Sequence, residues 1–416
     1  MATQRYIKQY LGDNKVINAK KVYTCRLCGS IDLVSFFSTG EIYINDFPST
    51  PSGNRGKVDM TLTRCEKCSL IQLDQTVDSE VYFDYWYESK LNKKIINNLK
   101  DIVTTARNEV TLEKDDLVLD IGANDGTLLS FYEDLPVIRI GCDPAKSIQN
   151  DLTKHCEYNI NDLWNKQAWD NLPLSNKKAK IITAIAMFYD LDYPNEFVQS
   201  IKKVLHQDGV FIVQLMPAVP MLMKFDIGNV CHEHLLYYTY QSLVRLFKQQ
   251  HLEIYNVKEN DINGGSYQLW IRHASSLNGS LFYPEQYAPH LIEKWVKQVK
   301  INKENTINFI RQKVKEGKNV YFYGASTKGN TIAQWYGLTS KDIKGAAEIH
   351  PNKIGRYMVG SQIPIVDEKE ARKDADYFLV TGFGFKDIFI KKEKEFLEKG
   401  GKLIFCTPTF EIISNQ

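Results

Sequence analysis

Three groups of residues combine types and spacing that can do chemistry. The first is Gly228-Asn229-Val230-Cys231-His232-Glu233-His234-Leu235-Leu236-Tyr237-Tyr238, which concentrates two of the chain's eight histidines around a glutamate. An H-x-H pair can hold a metal, but the i, i+4 histidines of a helical H-E-x-x-H are missing. A base, a carboxylate and two phenols this close suit proton transfer better. A solvated polar loop would use the same residues, since histidine often only caps or coats a surface. The second group is Asp120-Ile121-Gly122-Ala123-Asn124-Asp125-Gly126. An apolar run ends in an acid and turns on glycines, which lack Cβ and let backbone approach a ligand. The next apolar run closes on Asp143, roughly 20 residues further, where an acidic side chain suits ribose hydroxyls. The turn is not G-x-G-x-x-G, so it lacks the pyrophosphate cradle of a dinucleotide site. The third group is Cys25-Arg26-Leu27-Cys28 with Cys65-Glu66-Lys67-Cys68. Two C-x-x-C knuckles supply four thiolates to one tetrahedral ion, and a site closed by four thiolates is structural. Two unrelated buried pairs would have to share the spacing by chance, and no βαβ pattern surrounds either pair as a redox motif requires.

The elements that must position these groups follow from periodicity. Between the knuckles there is room for a β-ribbon that turns at the Pro48–Gly56 loop. Residues 82–89, Tyr-Phe-Asp-Tyr-Trp-Tyr-Glu-Ser, form an aromatic cluster ahead of a helix from about Lys90 to Val110. The cluster reads as a packing plug between domains or as a lid with one tyrosine hydroxyl reaching the site. Strands are expected near Leu117–Ile121, Val137–Cys142, Lys180–Ala186 and Gly209–Leu215, and helices near Thr127–Glu133 and Asn195–His206. That alternation predicts a parallel sheet. A helix near Tyr240–Gln250 and an antiparallel pair, Leu252–Val257 with Tyr267–His273, flank Asn263-Gly264-Gly265-Ser266. A Lys-rich helix, Tyr287 to Lys315, reads as an interdomain arm. A second α/β unit follows, with strands Val320–Tyr323, Ile343–Ile349, Tyr377–Val380 and Lys402–Phe405, and helices Thr331–Tyr336 and Lys386–Lys399. Its loop Gly324-Ala325-Ser326-Thr327-Lys328-Gly329-Asn330 is neither a Walker A nor a dinucleotide motif. It still offers N–H groups, hydroxyls and a lysine at a helix N-terminus, a ready anion site, although a plain structural turn also fits it.

At 416 residues the chain has length for two or three domains, placed at 1–80, 81–283 and 284–416. A net charge of +2 gives no electrostatic footprint for nucleic acid. No apolar run approaches a membrane span, and the polar first residues do not form a signal peptide. Scattered cysteines beside two close pairs fit a reducing compartment, so a cytoplasmic soluble protein is expected.

Taken in order, the knuckles, Asp120–Gly126, His232-Glu233-His234, Asn263–Ser266 and Gly324–Asn330 resemble the nucleotide-sugar C-methyltransferases that depend on S-adenosylmethionine (SAM), from Cys25 to Phe410. The resemblance implies an α/β fold: a small zinc module, a class I methyltransferase domain and a Rossmann-like C-terminal domain. It implies SAM, structural Zn2+ on Cys25, Cys28, Cys65 and Cys68, and a nucleotide-linked 4-keto sugar as partner. Asp120, Gly122, Asn124, Gly126 and Asp143 then face SAM, with Asn161 or Asp162 against the adenine edge. Asn263, Gly264, Ser326, Thr327, Lys328 and Asn330 face the sugar nucleotide. His234 is the expected base, with Glu233 orienting it or an adjacent group, His232 as the alternative and Tyr87 as the lid tyrosine. Cys231 stands where the family carries tyrosine, and Asp190 where it carries histidine, which leaves the acceptor and the methylated atom open. Transfer to a hydroxyl oxygen and a non-catalytic nucleotide-sugar-binding protein are the competing readings. Oligomeric state is not legible.

Overall fold

The computed structural model describes residues 10–11, 14–15, 17–83, 86–174, 176–274, 281, 283, 285 and 287–415. Asp84 and Tyr85 of the aromatic cluster lie outside them.

The central sheet has seven strands in the spatial order Tyr158–Ile160, Ile138–Cys142, Leu117–Ile121, Ala179–Ile185, Leu205–Leu215, Ser266–His273, Leu252–Asn260. The first five run parallel, and the last two close the edge antiparallel. Leu117–Ile121 is buried throughout because both faces of the sheet are covered. Leu117, Leu119 and Ile121 pack with Phe197, Val198 and Ile201 of the helix Pro194–Val204. Val118 instead packs with Ile95, Leu99 and Ile102 of the helix Lys93–Glu109. The order reverses at Leu117–Ile121, so the topological switch point lies at the carboxyl end of that strand, where ligands bind in such sheets.

The ribbon between the cysteine knuckles is an antiparallel hairpin, Leu33–Tyr43 with Lys57–Cys65. Ile71–Leu73 adds to it, and so does Leu236–Tyr237 from far along the chain. Leu236 and Tyr237, one residue beyond the His-Glu-His stretch, thus belong to the cysteine module's sheet. That pairing had no sequence signal, since it joins short segments distant in the chain.

The second seven-stranded sheet is ordered Tyr357–Met358, Ile363–Asp367, Gly345–Glu348, Val320–Tyr323, Tyr377–Val380, Lys402–Phe405, Glu411–Ile413, with five parallel strands inside two antiparallel edges. The arm helix is His290–Lys315, whose Trp295 is fully buried. Phe37 of the hairpin meets the Trp295 ring at 4.9 Å and the Trp335 ring at 5.3 Å, tying the first module to the arm and to a helix of the C-terminal unit. Two expectations are corrected here. The helix placed at Thr331–Tyr336 begins at Thr327, because Ser326 caps it by accepting a hydrogen bond from the Gly329 N–H at 3.0 Å. The helix expected at Thr127–Glu133 is a single turn, Thr127–Ser130.

Candidate functional site

At the switch point, Gly122 and Gly126 hold φ of +72° and +80°, and the non-glycine Asn124 and Ala186 hold +51° and +58°. Left-handed backbone at two strand ends is the kind of strain that collects at binding sites. Asp120 is buried and accepts a hydrogen bond from Thr183 Oγ1 at 2.6 Å, and burial pushes its carboxyl up to about 7. Asp143 accepts the Asn124 N–H on one oxygen and the Ala145 N–H on the other, each at 2.9 Å. A carboxylate oxygen has a second lone pair, so both still have capacity for ribose hydroxyls. Glycines in left-handed turns beside such a carboxylate fit SAM. The Asn124 side chain turns away from the sheet, accepting from the Ser89 N–H and donating to the Tyr87 carbonyl, each at 2.9 Å. Tyr87 therefore stands at the rim of this turn, 42% exposed as a residue, while burial of its phenol raises that group's pKa. Asp162 lies at the surface, where its side chain accepts its neighbour Leu163's N–H.

The loop from Asp226 to His234 hangs over the same edge. Asp226 is 1% exposed and takes the Gly228 N–H at 2.9 Å and the Asn229 side-chain amide at 2.5 Å. The Asn229 carbonyl oxygen, so positioned, lies 2.8 Å from His234 Nδ1 and accepts from the Tyr237 hydroxyl at 3.2 Å. A carbonyl only accepts, so His234 carries its hydrogen on Nδ1 and leaves Nε2 as a bare base. Burial lowers its pKa to about 4, which keeps the ring neutral at pH 7. The ring packs on Tyr189 at 4.4 Å, and a small apolar cavity beside it is lined by Tyr189, Met216, Met221, Asn229 and Tyr237. His232 points elsewhere: buried, it donates Nε2–H to the Val58 carbonyl of the hairpin at 3.2 Å, and burial lowers it too to about 4. Glu233 does not touch His234 through any hydrogen bond. Its Oε1 accepts from Asn45 Nδ2 at 3.3 Å, and burial raises its pKa. Tyr238 is fully buried against Phe188.

The C-terminal loop reaches this site from the other side. Lys328 lies 3.5 Å from Asp226 Oδ2 and donates to the Asn263 carbonyl at 3.2 Å. Thr327 Oγ1 accepts from Asn45 Nδ2 at 3.0 Å, and Asn330 Nδ2 donates to Asn45 Oδ1 at 2.6 Å and to the Asp46 carbonyl at 3.0 Å. With Ser326 spent on its cap, the side chains of this loop expected to face the sugar nucleotide each have a partner within the chain, with Asn330 Oδ1 buried and left over, and together they form a junction. Gly264 meets that domain face to face: a Cβ there would come within 2.7 Å of Phe383 Cζ. Asn45 and Asp226 carry much of this geometry and lie outside the stretches the sequence points to, while Asn229 lies inside one of them with no role of its own read there. Asn45 contacts Glu233 across 188 residues, which no local pattern reveals.

The four cysteine sulfurs lie within 4.8 Å of one another, with Cys25 to Cys68 at 3.5 Å and Cys28 to Cys65 at 3.6 Å. A tetrahedron of Zn–S bonds near 2.3 Å has edges of about 3.8 Å, so the set fits a zinc ion. Gly29 and Ser69 follow the second cysteine of each knuckle with φ of +71° and +61°, turning both chains the same way.

Comparison with known proteins completes the picture. Residues 87–257 match the methyltransferase domain family, and residues 261–408 match the family described as C-methyltransferase C-terminal domain. This protein is a SAM-dependent C-methyltransferase. C-methyltransferase NovU of Streptomyces niveus is 25% identical over 410 residues, covering 94% of this chain and 97% of that one. A SAM-dependent methyltransferase of Clostridium acetobutylicum is 12% identical, with a TM-score of 0.34 over 43% of this chain and 92% of its own. Magnesium protoporphyrin IX methyltransferase of Synechocystis, solved with SAM bound, is 10% identical, with a TM-score of 0.31 over 43% of this chain and 78% of its own. Overlaps this weak decide nothing about the acceptor. Among the described residues of this C-methyltransferase, no helix is long and apolar enough to cross a membrane.

Proposed function

We propose that this C-methyltransferase methylates a carbon next to the ketone of a nucleotide-linked 4-keto sugar, with His234 as the base. The observation that carries the reading is the fixed tautomer of His234, whose Nδ1–H is held by the Asn229 carbonyl at 2.8 Å. A sugar carbon is not a nucleophile until it loses a proton, and an adjacent ketone permits that loss by spreading charge onto oxygen. A neutral imidazole with a bare Nε2 suits that step. SAM bound at the glycine turn would supply the methyl group from its sulfonium. The chain's own residues have only to hold the two reactants in line. The nucleotide part is supported by the second α/β domain, whose loop is tied through Lys328 to Asp226 beneath the His234 loop. In the same reading Tyr87 closes over the site, and Cys25, Cys28, Cys65 and Cys68 hold a structural zinc.

With S-adenosylhomocysteine in place of SAM, the protein should exchange the acidic proton of a nucleotide 4-keto sugar for solvent deuterium. His234→Asn should lose both exchange and methylation by about 10²-fold. Exchange at the wild-type rate in that variant removes His234 as the base. A methyl group released under ether-cleaving conditions places it on oxygen instead.

A further inference from the structure

Residues 87–90 carry a tie between the C-terminal unit and the glycine turn that the chemistry above does not use. They lie just ahead of the helix Lys93–Glu109. The Ser89 N–H donates to Asn124 Oδ1 and Asn124 Nδ2 donates to the Tyr87 carbonyl, each at 2.9 Å, and the Lys90 N–H donates to Asp125 Oδ2 at 2.8 Å. Both ends of the Asn124 amide are thus taken by this segment. Asn124 itself sits at φ +51°, a left-handed conformation that a residue other than glycine keeps only where its surroundings hold it. Its N–H is the one that donates to Asp143 Oδ2 at 2.9 Å. The segment therefore holds the residue that orients the Asp143 carboxylate. Its own hold on the C-terminal unit is Glu88. Nε2 of the buried His350, 262 residues further along the chain, lies 3.2 Å from Glu88 Oε1. The Asn352 N–H donates to His350 Nδ1 at 3.2 Å, so the ring carries its hydrogen on Nε2 and gives it to the carboxylate. His350 is fixed in turn, because its N–H donates to Glu348 Oε1 at 3.0 Å and Glu348 Oε2 accepts the Ala325 N–H at 3.0 Å. A chain of hydrogen bonds thus runs from the Gly324–Asn330 loop through Glu348, His350 and Glu88 to the segment, and from there to Asn124 and Asp143.

We infer that His350 is a positioning residue for SAM: by holding Glu88 it keeps residues 87–90 on Asn124, and the C-terminal unit thereby strengthens the grip of the central domain on the cofactor. The inference rests on SAM lying at the glycine turn and is independent of the acceptor. A hydrogen bond to a carboxylate is strong where burial keeps water from competing for it. Without His350, Glu88 keeps Lys90 Nζ at 2.9 Å from its Oε2, but Lys90 belongs to the same segment and gives it no hold on the C-terminal unit. A segment free to leave Asn124 has to be ordered again each time SAM binds, and that lost entropy weakens the affinity.

Titration calorimetry of S-adenosylhomocysteine into the zinc-loaded full-length protein tests this without any acceptor. His350→Ala should bind it about 10-fold more weakly than wild type. Glu88→Ala should lose as much, and the double variant no more than either single one, because all three remove the same tie. His350→Gln, whose side-chain amide can still donate to Glu88, should return to within about 3-fold of wild type. A role in folding alone would give neither the shared loss nor the rescue. Zinc content and the thermal midpoint without cofactor confirm that each variant is folded. Should His350→Ala fail to fold, Glu88→Ala carries the same test from the other end of the contact. Wild-type affinity in His350→Ala overturns the inference, and so do losses that add in the double variant. Asp143→Ala checks the placement of the cofactor. If that variant binds as wild type does, SAM lies elsewhere and the inference falls with the placement. Weak binding by Asp143→Ala beside wild-type binding by His350→Ala faults the tie alone.

Discussion

His234 illustrates how one backbone contact sets a reactivity. The Asn229 carbonyl fixes the proton on Nδ1, and burial depresses the ring pKa to about 4. A base whose pKa is lowered stays deprotonated at lower pH, so the acid limb of the exchange rate should sit near pH 4 to 5 rather than at about 6.5, the ordinary histidine value. The pH profile of exchange measures this, and a limb at 6.5 would mean that solvent reaches the ring during turnover. At this scale the sequence was informative where chemistry is local. His232-Glu233-His234 and the glycine turn are runs of adjacent residues, and they lie at one sheet edge. It was silent on which histidine is free. That depends on the Val58 carbonyl holding one and the Asn229 carbonyl holding the other, and Val58 lies 174 residues from His232.

Elements were legible where apolar period and length agreed, as for Leu117–Ile121, Val320–Tyr323, Tyr377–Val380 and Lys402–Phe405, all found with their expected bounds. The helix at Thr327 was misread as loop because Thr, Gly and Asn are weak helix formers. Its first turn is held by the Ser326 cap and by Asn330 reaching Asn45. The Asn263-Gly264-Gly265 turn makes a sharper claim. Gly264 has φ +99° and no room for a Cβ against Phe383, and a Cβ on Gly384 would come within 2.7 Å of the Gly264 nitrogen. Gly264→Ala should therefore destabilise the protein by about 1–3 kcal/mol through backbone strain and overlap. Adding Phe383→Ala should relieve the overlap and leave the φ strain, so urea unfolding of the double variant should show less overlap cost than the single. Equal midpoints for Gly264→Ala and wild type would show that this contact yields freely.

Across the whole molecule, the cysteine module is a wall of the site as well as an N-terminal appendage. Its hairpin supplies Asn45 to Glu233 and Val58 to His232, and its sheet takes in Leu236–Tyr237 just beyond His234. Structural zinc contributes folding free energy directly. Cys25→Ser should therefore lose the metal and, with it, His234-dependent exchange, even though no cysteine of the set lies at the reacting atoms. Metal analysis alongside the exchange assay checks the link; full exchange in a zinc-free variant would break it.

The same coupling gives stability a pH dependence that can be assigned to one residue. His232 is buried, donates to Val58 and has its pKa lowered to about 4 by burial. In the unfolded chain it titrates near 6.5, so between these values the unfolded state binds more protons and stability falls as pH falls. Between pH 7 and pH 4.5 this one ring should cost about 2–3 kcal/mol. His234 and the cysteine site titrate as well, so wild type alone cannot isolate the effect. His232→Gln keeps an N–H donor for the Val58 carbonyl and cannot ionise. The stability difference between wild type and His232→Gln, from urea midpoints at the two pH values, should shift by that amount against wild type at pH 4.5. A difference that stays constant with pH would show that His232 is already solvated, and that the hairpin grips the His232–His234 loop through Asn45 and Leu236–Tyr237 alone.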